Sequence, residues 1–290
     1  MDLEPEGIVP PDTDQQAGRD PVALAVEALL DEDRPEEALA AIEAALAEGR
    51  GNAIDLEFLA GDACLGMGRA RDAEERFRRV LEQDPDCPSS RCWLAMALFL
   101  QWRFDEAEVA CRAARALPDA IPDSHVVEGL LLEHRGQFEA ADACFELGAA
   151  LAPEKYQKPT RLSRAAFDRE VRQAARKLPR QFRQYFERVP VSVHDLPHRE
   201  LAFDGAGDEL VHEHVAPDIL GLFDGVPLPE TAELDVAQLR PNTIYLFQRN
   251  LERAARDPED LIEQIRITLW HELGHYLGFE EEDMDDLGLA

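Results

Sequence analysis

Apolar positions between residues 21 and 155 recur at helical spacing in four similar segments. A small residue occupies the same place in each segment, and small side chains let two helices cross closely. Proline follows three of the segments, where it cannot continue a helix. The pattern predicts four stacked helical hairpins, of which the first is the most degenerate. Successive small residues are 35, 34 and 34 positions apart, at Ala38, Ala73, Ala107 and Ala141.

This period and pattern resemble the tetratricopeptide repeat. The resemblance covers residues 21–155 and implies a solenoid whose concave face binds a protein or a peptide. The lysines and asparagines that clamp a terminal carboxylate in some members of that family are missing, so an apolar or basic ligand is favoured over an acidic C-terminus. The positions that usually line the concave face carry Phe58, Asp62, Cys92, Met96, Val126 and Leu130.

The composition changes after Pro159. Residues 161–188 contain nine basic and three acidic side chains, with apolar residues at helical spacing. Pro179 predicts a break in this amphipathic helix. Its basic face is either a nucleic-acid patch or a face that is solvated or docks against the acidic remainder of the chain. The second alternative is favoured.

The rest of the chain mixes short strands with helices. Segments 189–195 and 242–248 are rich in β-branched and aromatic residues and predict strands, whereas glycine and proline predict a loop at 220–227. The mixture lacks βαβ order, so we expect an α+β domain at 161–290. Residues 1–20 are aperiodic and predict a disordered lead-in. The fold class is therefore multidomain, an all-α helical-hairpin solenoid followed by a small α+β domain.

The last predicted helix carries two histidines. Asp257 followed by Pro258 predicts its start, and Gly278 predicts its end. His271 and His275 project from nearly the same side of this helix, where two imidazoles can bind one Zn²⁺. Between the two ends, an apolar stripe is predicted at Leu261, Ile262, Ile265, Leu269, Leu273 and Leu277.

Glu272 completes the motif HExxH and projects to the adjoining side of the helix, where it is placed to accept a proton from water. The extension of the motif strengthens the prediction, because Gly278 lets the chain turn sharply. Glu281 stands where the longer HExxHxxGxxH motif has its third histidine, and a carboxylate is an acceptable zinc ligand. Glu281 lies within the acidic run 280–283, so a solvated tail is the alternative.

Residues 161–290 as a whole resemble the small bacterial zincin-like metallopeptidases. The resemblance rests on segments that begin at Phe167, Leu220, Thr243 and Thr268, in that order. It implies a small sheet over the HExxH helix and zinc-dependent endopeptidase activity. It also implies that Glu272 acts as the base and that the metal ligands are His271, His275 and Glu281.

The net charge and the cysteines indicate which kinds of partner are disfavoured and which compartment to expect. The net charge of -30 disfavours nucleic acid and anionic membranes as partners. The first residues lack a signal peptide, and the run 92–100 is too short to span a membrane. With five cysteines and no CxxC pair, we expect reduced thiols and a cytoplasmic location. His212 and His214 have two interpretations, a second metal site or local packing or exposure, and packing or exposure is favoured.

These patterns together predict a cytoplasmic zinc metallopeptidase whose repeat domain recruits or positions a protein substrate. The alternative belongs to another class, a non-enzymatic adaptor. In that case the repeats bind a partner, and the zincin-like module is stabilised by metal without turnover. The intact HExxH motif favours the peptidase.

Overall fold

A computed structural model shows helical hairpins followed by a small mixed α/β region. The chain divides into two compact units, an N-terminal unit at Met1–Leu98 and a C-terminal unit at Phe99–Ala290. None of the helices in the described residues combines the length and the apolar content that a membrane span requires. The described residues are 20–202, 215–229, 241–280, 283–284 and 287.

The N-terminal unit is built of helical hairpins. A Cβ atom on Gly61 would lie 2.5 Å from the Phe77 ring, so the close crossing of these two helices depends on glycine. Ala38 and Ala73 are fully buried, as the repeat pattern predicts. The helices are α1 (Pro21–Asp31), α2 (Pro35–Ala47), α3 (Ala53–Gly66), α4 (Ala70–Gln83) and α5 (Pro88–Leu100), whose last residues belong to the C-terminal unit.

The C-terminal unit begins with the same hairpin geometry. A Cβ atom on Gly129 would lie 2.5 Å from the Phe145 ring, which matches the pair formed by Gly61 and Phe77. Ala107 and Ala141 are fully buried. The repeat prediction is therefore confirmed in both units. The helices here are α6 (Phe104–Arg115), α7 (Asp123–His134) and α8 (Phe138–Leu151).

The remaining elements form the mixed α/β region. The break at Pro179 is confirmed, since one helix ends before it and another begins after it. The predicted separation of residues 21–155 from residues 161–290 stays a prediction. The elements are α9 (Arg164–Lys177), α10 (Arg180–Phe186), β1 (Val191–His194), α11 (Arg199–Ala202), β2 (Gly221–Asp224), β3 (Thr243–Phe247), α12 (Gln248–Ala254) and α13 (Pro258–Leu277).

The three strands form one sheet in the order β1-β3-β2. β1 runs parallel to β3, and β2 runs antiparallel to β3 with Gly221 opposite Leu246. The predicted strands at 189–195 and 242–248 are confirmed. The predicted loop at 220–227 is wrong for Gly221–Asp224, because pairing with β3 holds these residues extended despite the glycine.

Apolar clusters cover both faces of the sheet. Side chains alternate between the two faces, so the strands contribute to both clusters. On one face, Ile244 and Leu246 join a core with α9 and α13. On the other face, Leu222 packs with a cluster that includes Trp102 and Val215. The Trp102 Nε1 donates a hydrogen bond of 2.9 Å to the Val215 carbonyl. A residue between two repeat helices thus belongs to the core beneath the sheet.

His134, at the end of α7, is enclosed by aromatic rings. Its ring centroid lies 5.3 Å from that of Phe99, 5.9 Å from that of Trp102 and 4.7 Å from that of Phe104. Its Nε2 has no hydrogen-bond partner among the described residues. Burial, with a smaller contribution from Arg253, lowers the pKa of His134 to about 4. The folded protein therefore favours the neutral imidazole.

This shift predicts a pH dependence of stability. Unfolded histidine takes up protons below about pH 6.5, so the stabilisation is complete above that pH and is lost as the pH falls toward 4. Between pH 7 and pH 5, we expect the free energy of unfolding of the wild type to fall by about 2 kcal/mol more than that of His134→Phe. Urea denaturation at the two pH values measures the difference. If the free energy of unfolding changes by the same amount between pH 7 and pH 5 in both proteins, His134 is not the source of the pH dependence.

Candidate metal centre

Helix α13 carries the HExxH motif, and both of its ends form as the sequence predicts. The Asp257 carboxylate accepts hydrogen bonds of 2.9 Å from the backbone N–H groups of Glu259 and Asp260. Pro258 occupies the first turn, where its missing N–H costs nothing. Gly278 ends the helix with a φ of 80°, a left-handed conformation that favours glycine.

Packing fixes how α13 is rotated about its axis. Trp270 lies on the helix, and its Nε1 donates a hydrogen bond of 3.1 Å to the Ala174 carbonyl of α9. The predicted apolar stripe is narrower than expected, because Ile262 is 38% exposed. The fully buried members of the stripe are Leu261, Ile265, Leu269 and Leu273.

His271 and His275 lie together and are half-buried. Their Nε2 atoms are 3.0 Å apart and their ring centroids 4.6 Å apart, with the rings nearly perpendicular. Zinc binds imidazole nitrogen at about 2.1 Å, so one ion could contact both Nε2 atoms. The pair therefore fits zinc. Within the described ranges no third histidine, cysteine or carboxylate joins them in a metal-binding group, and Glu281 lies outside those ranges.

Glu272 is buried between α13 and β2, with 7% of its surface exposed. A Cβ atom on Gly221 would lie 3.0 Å from the Glu272 Oε1 and 2.5 Å from the Thr268 Cγ2. The carboxyl group thus lies against the backbone of β2. Gly221 did not stand out in the sequence, although a glycine between apolar residues can mark a close backbone approach.

Substitution of Gly221 tests this contact. We expect Gly221→Ala to lower the free energy of unfolding by about 1–3 kcal/mol, because the added methyl group must displace Thr268 or β2. The matched control is Gly66→Ala, where the new Cβ atom would meet Pro35 at an ordinary 3.6 Å. Alanine favours a helix over glycine, so the control should be neutral or slightly stabilising. If Gly221→Ala and Gly66→Ala lose the same free energy of unfolding in urea denaturation, Gly221 is not a close contact.

The segment after β2 is attached to the end of α13. The Leu228 N–H donates a hydrogen bond of 2.7 Å to the Tyr276 carbonyl. The Asn242 side chain accepts from the Val226 N–H at 3.0 Å and donates to the Val226 carbonyl at 3.1 Å. This end of β2 is therefore fixed relative to the histidine-bearing turn of α13.

The other histidines form no comparable site in the part of the chain that the structure describes. The ring centroids of His194 and His198 are 5.4 Å apart, and the His194 Nε2 lies 2.9 Å from the Ser192 Oγ. Burial lowers the pKa of His194. The sequence pattern predicts no role for these two residues. His212 and His214 lie outside the described residues.

Known proteins resemble the two parts of the chain separately. The family model for zincin-like metallopeptidases matches residues 186–289, and a tetratricopeptide repeat model matches residues 58–125. No curated protein matches the chain. Similar solved structures include a tetratricopeptide repeat protein of Thermus thermophilus, with 19% identity, 45% of this chain and 72% of that chain covered, and a TM-score of 0.41.

Two structures of MamA are also similar. One has 19% identity, covers 44% of this chain and 74% of that chain, and has a TM-score of 0.37. The other, MamA MSR-1 C2, has 21% identity, covers 46% and 76%, and has a TM-score of 0.37. The two family matches follow one another along the chain in the order that the sequence predicts, the tetratricopeptide repeat model first and the zincin-like metallopeptidase model second.

Proposed function

We propose that this protein is a zinc-dependent metallopeptidase that hydrolyses peptide bonds. The observation that carries the proposal is the convergence of the His271 and His275 Nε2 atoms, 3.0 Å apart, beside the buried carboxyl group of Glu272. The match of residues 186–289 to the zincin-like metallopeptidases supports the same conclusion.

His271, His275 and Glu281 are the proposed metal ligands. Two imidazoles and one carboxylate form a donor set that zinc accepts, with a position left for water or substrate. When bound, zinc would supply Lewis acidity at the scissile carbonyl. Glu281 enters this set from the spacing of the motif.

Glu272 is the proposed general base. Its carboxylate would accept a proton from water as the water attacks the scissile carbonyl, and would then pass that proton to the leaving amine. Its position against β2 supports this role, because the surrounding backbone holds the carboxyl group in place. A positioned base of this kind contributes about 10²–10⁴-fold to a rate.

Strand β2 offers a place for an extended substrate. β2 pairs with β3 on one side, and the described residues place no further strand beside it. A peptide that paired with the backbone of β2 would pass next to Glu272, since Gly221 contacts that side chain. Main-chain hydrogen bonds of this kind bind many sequences, so the side chains around β2 would set the preference.

Tetratricopeptide repeats typically mediate protein–protein interaction, and we propose that the repeats recruit a protein or peptide substrate. Asp62 is exposed, and Phe58, Met96 and Val126 are half-buried, whereas Leu130 and Cys92 are buried. The first four are therefore the better candidates for contact with a partner. The cysteines of the described residues are free thiols, which is consistent with a reducing cytoplasm.

The proposal is tested by metal analysis of the purified protein together with cleavage of a proteome-derived peptide library. We expect a single zinc ion per chain and cleavage that a chelator abolishes and zinc restores. Zinc without cleavage of any peptide would favour the adaptor with a metal-stabilised module. A protein that binds no zinc would reject both alternatives.

A further inference from the structure

A buried ion cluster surrounds Glu133 on helix α7. The Glu133 side chain is 0% exposed. Its Oε1 accepts hydrogen bonds from the Arg161 Nη2 at 2.8 Å and the Arg249 Nε at 2.7 Å, and its Oε2 accepts one from the Arg253 Nη1 at 2.6 Å. Asp142 on α8 accepts further bonds from Arg161 and Arg249, at 2.6 and 2.7 Å. Two repeat helices thus hold three arginines of the region that follows them.

Helix α12 contributes most to this cluster although it spans only Gln248–Ala254. It supplies Arg249, Arg253 and Glu252, and the Glu252 carboxylate accepts from the Leu162 N–H at 2.9 Å. Burial lowers the pKa of Arg253, while the carboxylates of Glu133 and Asp218 oppose that shift. Buried charges stabilise a fold less than apolar packing would, but they can specify one arrangement. The cluster therefore fixes the position of α12.

The hydrogen bonds continue from Arg253 to the segment before β2. The Arg253 Nη2 donates to the Asn250 Oδ1 at 2.9 Å. This bond orients the amide of Asn250, so its Nδ2 donates to the Pro217 carbonyl at 3.0 Å and the Ile219 carbonyl at 2.7 Å. Asn250 is 1% exposed, so the loss of either bond would leave a polar group buried without a partner.

We propose that Asn250, oriented by Arg253 and Glu133, is a positioning residue that holds β2 against Glu272. Ile219 lies two residues before Gly221, the point of contact with Glu272. Asn242 fixes the far end of the same strand through Val226. β2 has four residues and pairs with one neighbouring strand in the described chain, so its position depends on the hydrogen bonds of Asn250 and Asn242. Through this path, a repeat helix sets the geometry of the candidate site.

The test is amide hydrogen exchange of the full chain carrying Asn250→Asp. Aspartate keeps the size and the oxygen that accepts from Arg253, but it replaces the donor to Pro217 and Ile219 with a second oxygen. We expect exchange in β2, residues 221–224, to rise by about 10-fold or more, while β1, residues 191–194, stays near the wild-type rate. A folded variant with unchanged exchange in β2, or with equal rises in both strands, would overturn the proposal.

Charge removal tests the connection to the repeat helix. Glu133→Gln should raise exchange in β2 in the same direction as Asn250→Asp. The control is Glu146→Gln on α8, whose side chain is 50% exposed and pairs with Lys158. It should leave β2 at the wild-type rate. If Glu146→Gln raises exchange in β2 as much as Glu133→Gln, the path from Glu133 to β2 is wrong. Asn250→Ala provides a second test of the amide should Asn250→Asp fail to fold.

The catalytic part of this inference rests on the proposed peptidase function. With zinc content unchanged, Asn250→Asp should lower kcat by about 10-fold to 10²-fold, the effect expected when a catalytic group is slightly misplaced. The KM should change less, because a rise in exchange of about 10-fold still leaves β2 paired with β3 in most molecules. An unchanged kcat in the active enzyme would contradict the positioning role. A wild type without cleavage would reject the peptidase, and the exchange experiment would still decide the role of Asn250.

Discussion

Replacement of Glu272 with glutamine is expected to lower peptide cleavage by at least about 10²-fold while zinc stays bound. Glutamine keeps the shape of the side chain, so the close contact with Gly221 is preserved. The amide cannot accept a proton from water, so the general-base contribution is lost. Single-turnover cleavage and zinc content, measured on the same preparation, separate the two effects.

The matched control is Glu263→Gln on the same helix. Glu263 has a side chain that is 53% exposed and pairs with Arg266, so its charge should have little influence on the rate. If Glu272→Gln loses zinc together with activity, Glu272 is a ligand or a structural residue and its assignment as base is wrong. The adaptor alternative is supported if the wild type shows no metal-dependent cleavage and if Glu272→Gln binds a partner as well as the wild type does.

Removal of either histidine of the motif should weaken zinc binding by more than about 10²-fold, because even residues that only support a metal ligand contribute 10–100-fold. His271→Ala and His275→Ala each take away one of two nitrogens that lie 3.0 Å apart. Competition with a chromophoric chelator measures the affinity. The control is His198→Ala, an exposed histidine in the same unit. Full zinc occupancy in the double His271→Ala, His275→Ala variant would exclude the proposed site.

The third ligand can be found by the same assay. Glu281→Ala should weaken zinc binding and lower cleavage together, because a missing ligand affects both. Glu280→Ala and Glu282→Ala should have little effect if those carboxylates are solvated. Equal loss of zinc from all three variants would mean that the acidic run acts collectively, and the choice of Glu281 would then be wrong.

The sequence alone was sufficient for the repeats, for the ends of α13 and for the proximity of its two histidines. The repeats follow from buried alanines one repeat apart, such as Ala73 and Ala107. The ends of α13 follow from Asp257 and Gly278, whose capping roles depend on their own side chain or backbone. The proximity of His271 and His275 follows from the pitch of a helix. Each of these features depends on a helix end signal, on the helical pitch or on a repeated pattern, all of which can be seen in the sequence.

Local spacing was not sufficient for β2. Glycine and proline around Gly221 predict a loop, yet pairing with β3 makes Gly221–Asp224 a strand. The same pairing brings the backbone of Gly221 to Glu272, about fifty residues further along the chain. Strand preference depends on what lies beside the segment, so neighbours that are distant in sequence decided this element.

The repeat hairpins, the capped helix α13 and the shared side of its two histidines are all specified by the sequence, because helical periodicity and end signals act within one or two turns. Tertiary packing is what brings Glu272 against β2 and places Glu133 beside Arg249 and Arg253, which are 116 and 120 residues away. Charges so far apart show no pattern in the sequence. They meet because packing excludes water around them, and a buried charge must then find a partner.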